Sequence, residues 1–313
     1  MDDYLIGVLS NIGVISFIAL SAYVLLLTGE ISFGQQAFFA IGAYAAGVAT
    51  ALWGWPLAVS IVWGAAVGSA AAVLVGVPTL RLHGLYFAIA TLAFAEMVRI
   101  LFELFRYQIL VDGEWVGPNG ADGFRNIRYI LENDIDSFHF MLLIYAVLVA
   151  TLVGFVLLER SRFGVIFRMI GEDETLAGLQ GVSVARHKVL AAGIAGALAG
   201  LGGGLYAHLT TYVEPRMFDV MLGVHSLAYG LIGGLGTAFG PLLGVLIDIG
   251  LLEATRALAG YRMIIFGGLV AFLLIVRPRG LLDEKVVHKI SQAWRLIAPR
   301  TRCSKSRATG GEA

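Results

Sequence analysis

A run of 23 residues, Leu5 to Leu27, carries no charged side chain. As a helix it would be roughly 34 Å long, enough to cross a hydrocarbon core of about 30 Å. Charged, proline-rich and glycine-rich breaks set off further apolar stretches at 34–52, 57–77, 84–107, 139–158, 189–208, 221–237, 241–257 and 262–276. In lipid a spanning segment must satisfy its own backbone hydrogen bonds, so such stretches predict helices. The expected fold class is therefore all-α, a polytopic integral-membrane bundle of about nine transmembrane helices, within a range of about eight to ten. Composition agrees. The chain is 58% hydrophobic and 14% charged, where soluble domains run roughly 45–50% and about 25%. A soluble enzyme is excluded.

The stretch 34–52 is the weakest, because Ser32-Phe33-Gly34-Gln35-Gln36 is polar and Gly42 and Gly47 interrupt it. A full crossing is favoured there over a broken or re-entrant helix. Glycine makes up 40 of 313 residues, and Gly193, Gly196, Gly200 and Gly202 to Gly204 fall inside one apolar run. Small residues at such spacing let helix backbones approach closely. The acidic start Met1-Asp2-Asp3 is unlike the basic head of a signal peptide, so Leu5–Leu27 is read as a retained first span.

Lysine and arginine set the expected orientation. Arg160, Arg162, Arg168, Arg186 and Lys188 crowd 159–188, and nine more basic residues lie between Arg277 and Arg307. Positive loops stay in the cytoplasm. Alternate crossings then put 108–138 outside, where Asp112, Glu114, Asp122, Glu132, Asp134 and Asp136 outnumber Arg125 and Arg128. The N-terminus falls outside and the C-terminus inside. Residues 1–282 would form the transmembrane domain, and 283–313 a cytoplasmic tail expected to be partly disordered.

Several functions drop out. With Lys and Arg 22 against Asp and Glu 22, nothing in net charge argues for nucleic acid. Cys303 is the single cysteine, so the chain forms no internal disulfide and no cysteine-based metal cluster. His83, His208 and His225 stand apart from one another and from acids at ligand spacing, so no metal site is expected. Ser32, Ser60 and Ser69 have no arguable base, which leaves an embedded hydrolase without a nucleophile pair. No GxxxxGK[ST] phosphate loop occurs, so any ATP-driven transport needs a separate ATPase chain.

Three kinds of feature hold residues able to carry mechanism. Glu96, Arg99 and Glu103 share one face of the fourth apolar stretch, and Glu253 with Arg256 repeats the i, i+3 spacing in the eighth. Charges at membrane depth cost about 2.5–3.5 kcal/mol each unless paired or wet, so pairing is expected. An ion-paired strut is favoured over a translocation lining or proton relay. Glycine-rich breaks at Ser32, Phe33, Gly34, Gln35 and at Gly233, Gly234, Gly236, Thr237 are candidates for a translocation path near mid-depth, with ordinary helix caps as the competing reading. In 160–181, Phe163, Ile166, Phe167 and Ile170 recur at helical spacing, Gly171 breaks the helix, and Glu172-Asp173-Glu174 suit the N-terminus of the next one. That apolar stripe could dock a cytosolic subunit or pack on its own protein.

The segment Arg160-Ser161-Arg162-Phe163-Gly164 through Glu172-Asp173-Glu174 to Gly181 resembles the cytoplasmic coupling loop of permeases of branched-chain amino-acid ATP-binding-cassette transporters, specifically the LivM family. Gly29-Glu30-Ile31-Ser32-Phe33-Gly34-Gln35-Gln36 through Tyr44 is similar to that family's second-span motif, and Leu80-Arg81-Leu82-His83-Gly84 through Glu96 to its fourth. Gly117-Pro118-Asn119-Gly120 with Gly123, and Gly233-Gly234-Leu235-Gly236-Thr237 with Gly240-Pro241, complete a resemblance covering roughly 28–280. It implies an inner-membrane permease subunit, not an enzyme, importing branched-chain or other neutral amino acids. The implied partners are a LivH-like second permease, two cytosolic ATPase subunits and a periplasmic binding protein. This chain would bind no cofactor, since ATP and Mg belong to the ATPases. Contact with the ATPases would fall on Arg162, Phe163, Gly164, Phe167, Arg168, Gly171, Glu172, Asp173 and Glu174. The same motifs also suit permeases for urea or short amides, and Glu96, Arg99 and Asp248 leave an ion-coupled secondary transporter as the rival.

Overall fold

The computed structural model describes residues 3–79, 81–111, 114–254, 262–276 and 280–281. Arg256, the tail 283–313 with Cys303, and the side chain of Glu253 lie outside the described residues. Each apolar stretch folds as a helix: α1 (Asp3–Leu27), α2 (Gln35–Ala51), α3 (Leu57–Thr79), α4 (Leu85–Leu104), then after the short α5 (Tyr129–Glu132), α6 (Ser137–Arg160). The polar segment that follows forms α7 (Arg162–Glu172) and α8 (Glu174–Leu179). The remainder is α9 (Val184–Thr210), α10 (Val220–Gly233), α11 (Phe239–Ala254) and α12 (Arg262–Val276). Helices α1, α3, α4, α6 and α9 are long and apolar enough to cross a bilayer, and α10 and α11 are shorter apolar helices. The chain is a multi-pass helical membrane protein.

The centre of the bundle is α1 with α2, α3 and α9. Helix α1 buries 61% of its most apolar stretch and α9 67%, against 22% for α6. A helix apolar all round belongs inside, and one whose apolar side chains remain exposed faces lipid or another subunit. The glycines explain how α9 gets in. A methyl group on Gly200 would meet the backbone of Gly64 and Ala65 on α3, and one on Gly42 of α2 would meet Gly200 itself. Three backbones thus touch along one seam, as the small-residue spacing predicts.

One end of the bundle gathers 28–34, 81–84, 161–183 and 234–238, shown by contacts of Lys188 with Glu30, of His83 with Glu174 and of Arg168 with Gly236. At the other end, Trp53, Phe105 and Pro118 line one apolar cleft, and Trp53, Trp55 and Trp63 cluster with ring centroids 5.2–6.3 Å apart. Tryptophans of this kind mark a membrane interface. A small antiparallel sheet caps the same end, built from β1 (Ile109–Val111), β2 (Glu114–Pro118) and β3 (Phe124–Arg125), with Leu110 opposite Trp115 and Pro118 opposite Phe124. Phe124 fixes it to the bundle. Its N–H donates to Val213 O (2.6 Å), and its ring lies against Gly47 of α2.

Candidate functional site

Helix α7 has one strongly apolar side, and the structure settles where that side goes. Phe167 and Ile170 are fully buried in the chain's own core, so the expected docking stripe is corrected: these two residues do not face outward. The physical reason is local. Gly171 has no side chain, and its backbone sits against Leu27 and Gly29 where α1 ends, which draws α7 flat onto the bundle. What remains outside is Phe163, 48% exposed, with Val165, Leu176 and Leu179. Asp173 ends α7 and caps α8, its carboxylate accepting from the N–H groups of Thr175 (2.8 Å) and Leu176 (3.0 Å). Gly164 presses on Glu159 and Leu158, while Arg162 and Glu172 head and close the helix.

Two polar clusters tie this pair of helices to the bundle. Arg168 donates to Gly236 O (3.0 Å) and lies 3.6 Å from Glu159. Glu159 in turn accepts from Tyr23 Oη of α1 (2.7 Å) and from the N–H of Ala238 (3.1 Å). Lys188, 1% exposed near the start of α9, donates to Glu30 Oε1 (2.5 Å) in the α1–α2 link and to Glu174, the first residue of α8. Glu30, Tyr23, Glu159 and Lys188 are absent from the sequence-based candidates. For Glu30, Glu159 and Lys188 the signal was only a charge beside a helix end, and Tyr23 gave none, since what unites them is contact between distant segments.

The first glycine-rich break, Ser32 to Gln35, sits in the bundle near the α7–α8 end and dips inward. Phe33 N–H donates to Thr91 Oγ1 (3.1 Å), and Thr91 is six residues inside α4, roughly 9 Å from that helix's start. Gly34 N–H donates to Ser32 Oγ (3.2 Å). Ser21 Oγ lies 2.6 Å from both the Gln35 side-chain amide and the Ala195 carbonyl. The Gln35 atom concerned is Oε1, which accepts, so the single hydroxyl proton of Ser21 is shared between two acceptor oxygens. Nε2 of Gln35 and Oε1 of Gln36 are buried with no hydrogen-bond partner among the described residues.

Gln36 leads to a feature the sequence reading missed. Past α9 the chain turns inward through Pro215–Phe218, and α10 begins only after Asp219, whose carboxylate accepts from Leu222 N–H (3.2 Å). The Phe218 ring lies tilted 6.0 Å from Phe39 and edge-on 6.5 Å from Tyr44, so α10 starts level with the first half and middle of α2. Gly223 in its first turn abuts the Gln36 amide. The legible signals were Pro215 and the capping Asp219. Two helix N-termini, with their partial positive charge, therefore lie close to buried amide groups that have unused hydrogen-bonding capacity. Such a place can recognise a small polar or zwitterionic solute.

The second break, Gly233, Gly234, Gly236 and Thr237, belongs to the α7–α8 end rather than to mid-depth. Gly233 and Gly240 pack backbone to backbone, Arg168 holds Gly236 O, and Thr237 Oγ1 is buried without a hydrogen-bond partner among the described residues. On α4 the charges do pair. Arg99 Nε lies 3.0 Å from both Glu96 oxygens, and its guanidinium also bonds Glu103. The trio is half exposed on the outer face beside Met97, Ile100 and Leu101. Asp248 of α11 is buried and accepts from Tyr229 Oη (2.7 Å), with His225 at 3.9 Å. The Glu253–Arg256 pairing lies outside the described residues.

Residues 4–277 match the family described as branched-chain amino acid transport system / permease component. The chain is 32% identical over 281 residues to the high-affinity branched-chain amino acid transport system permease protein LivM of Salmonella typhimurium, a match covering 82% of this chain and 64% of that protein. It is 31% identical to the LivM protein of Escherichia coli, with the same shares covered. A probable branched-chain amino acid transport permease protein LivH of Methanocaldococcus jannaschii matches at 27% over 164 residues, covering 49% of this chain and 51% of that protein. The matched region thus spans 64% of the length of the LivM relatives. No solved structure matches.

Proposed function

We propose, from the premise that this chain belongs to the family of branched-chain amino acid transport system permease components, that it is the permease subunit of an ATP-driven importer of branched-chain or other neutral amino acids. The observation that carries this reading is the α7–α8 pair, anchored on one side by the ionic contacts of Glu174 with Lys188 and of Arg168 with Glu159 and presenting Phe163, Val165, Leu176 and Leu179 on the other. An exposed apolar edge on a polar segment is what a cytosolic subunit can grip. Two ATPase subunits would supply the energy with their ATP and Mg. A LivH-like second permease would cover the outer face of α4, where Arg99 and its carboxylates make a strut, and a periplasmic binding protein would deliver the solute.

Nine crossings, with the N-terminus outside and the C-terminus and the tail 283–313 in the cytoplasm, fit the inner membrane. Supporting this is the meeting of 28–34, 81–84, 161–183 and 234–238 at the end that carries the basic segment. Solute would pass the starts of α2 and α10, where Gln35 and Gln36 offer unpaired amide groups. Urea or a short amide would suit the same groups. The ion-coupled alternative draws on Asp248, the one buried acid inside a described apolar helix.

The test is uptake by the complete complex in proteoliposomes. Accumulation of leucine, isoleucine or valine should require ATP together with a loaded binding protein and should survive a protonophore. Uptake that needs no ATP and collapses with the proton gradient would establish the ion-coupled reading instead.

A further inference from the structure

Each short helix is joined through a carboxylate, Glu30 or Glu159, to a different helix break. Lys188 and Glu30 come from separate segments, are 1% and 3% exposed, and stand 2.5 Å apart. A buried ammonium needs a carboxylate beside it, and Lys188 has two, so Glu30 can hold it when Glu174 leaves. Glu174 is the partner free to leave, since its side chain is 37% exposed and it opens a helix of six residues. On the other side Glu159 joins Arg168 of α7 to the N–H of Ala238, and Arg168 itself holds Gly236 O. Motion of α8 therefore bears on the link before α2, and motion of α7 on the turn between α10 and α11.

We infer that Lys188 and Glu159 are positioning residues for transport: they are the nodes through which displacement of α8 and α7 reaches the two helix breaks, with the Lys188–Glu174 contact as the releasable one. This rests on reading α7–α8 as the segment gripped by the ATPases. Coupling of this sort needs an element with two arrangements, and a shared ammonium with one fixed and one removable carboxylate supplies it.

The test uses the whole complex in proteoliposomes and reads ATP hydrolysed per solute imported, a ratio that loss of folded protein does not change. Glu174→Gln keeps the shape and leaves Lys188 with Glu30, while Glu159→Gln keeps hydrogen bonds to Tyr23 and Ala238 but removes the charge facing Arg168. Each should raise the ratio about fivefold, in line with couplings of roughly a kcal/mol, while the ATPase still co-purifies. Lys188→Arg should restore most of the coupling that Lys188→Met loses. Arg186→Gln, an exposed charge change on the same end, should leave the ratio unchanged. A normal ratio in Glu174→Gln and Glu159→Gln overturns the inference. If Leu179→Asp with Phe163→Ala fails to release the ATPase, the gripping reading falls first and independently.

Discussion

Phe167 shows how far a single residue can be read from its neighbours in sequence. Its spacing with Phe163 and Ile170 announces an apolar face, and that much was legible. Which surface covers the face was not, because α7 packs against α1, α6 and α9, helices that sequence spacing within α7 cannot identify. Phe167→Ala should therefore cost about 3–5 kcal/mol of stability, as for an emptied aromatic core position. Thermal unfolding in detergent would show this, with ATPase bound per folded permease unchanged. Loss of ATPase from a stably folded variant would restore the outward-facing reading. Arg99 is the opposite case, since i, i+3 and i+4 neighbours on one helix suffice to predict its partners. With side chains 22–40% exposed, the trio lies outside the packed core of the subunit, so its loss bears little on the subunit's own packing. Arg99→Leu should leave the lone subunit's melting nearly unmoved yet reduce co-purification of the second permease, and an unaltered yield of complex would remove the strut.

At the scale of elements, every apolar stretch folds as one helix because span length and charge-free composition are local properties. The break before α10 escaped that logic. Fourteen residues give a helix of roughly 21 Å, too short to cross alone, and the chain ahead of it reads as an ordinary loop until Phe218 meets Phe39 and Tyr44. Likewise 234–238 carried the right glycines but was expected near mid-depth, and only its contacts with Arg168 and Glu159 bring it to the end of the bundle. Gly223→Val pushes a side chain into the Gln36 amide at the start of α10. Assembly should persist and solute uptake fall about tenfold or more, a loss of roughly 1.4 kcal/mol at the path. Equal loss of assembled complex and uptake would make Gly223 a packing residue only.

Over the whole molecule, orientation is the quantity that loop charge predicts and thiol labelling measures. In a Cys303→Ser background, Ala121→Cys should react with an impermeant reagent added outside intact inner-membrane preparations of periplasmic-side-out orientation, and Leu179→Cys should not. Both positions are exposed. The reversed pattern would invert the topology.

The seam where α2, α3 and α9 meet has a consequence of its own. Its contacts at Gly42, Gly64 and Gly200 are main chain on main chain, so there are no rotamers to exchange and no slack to take up. Side chains elsewhere can slide past one another, but these three helices behave as a keel. Whatever swings during a transport stroke has to be hung on its rim, and a methyl group added to the keel should be felt before the stroke begins, at the moment the hull is laid down.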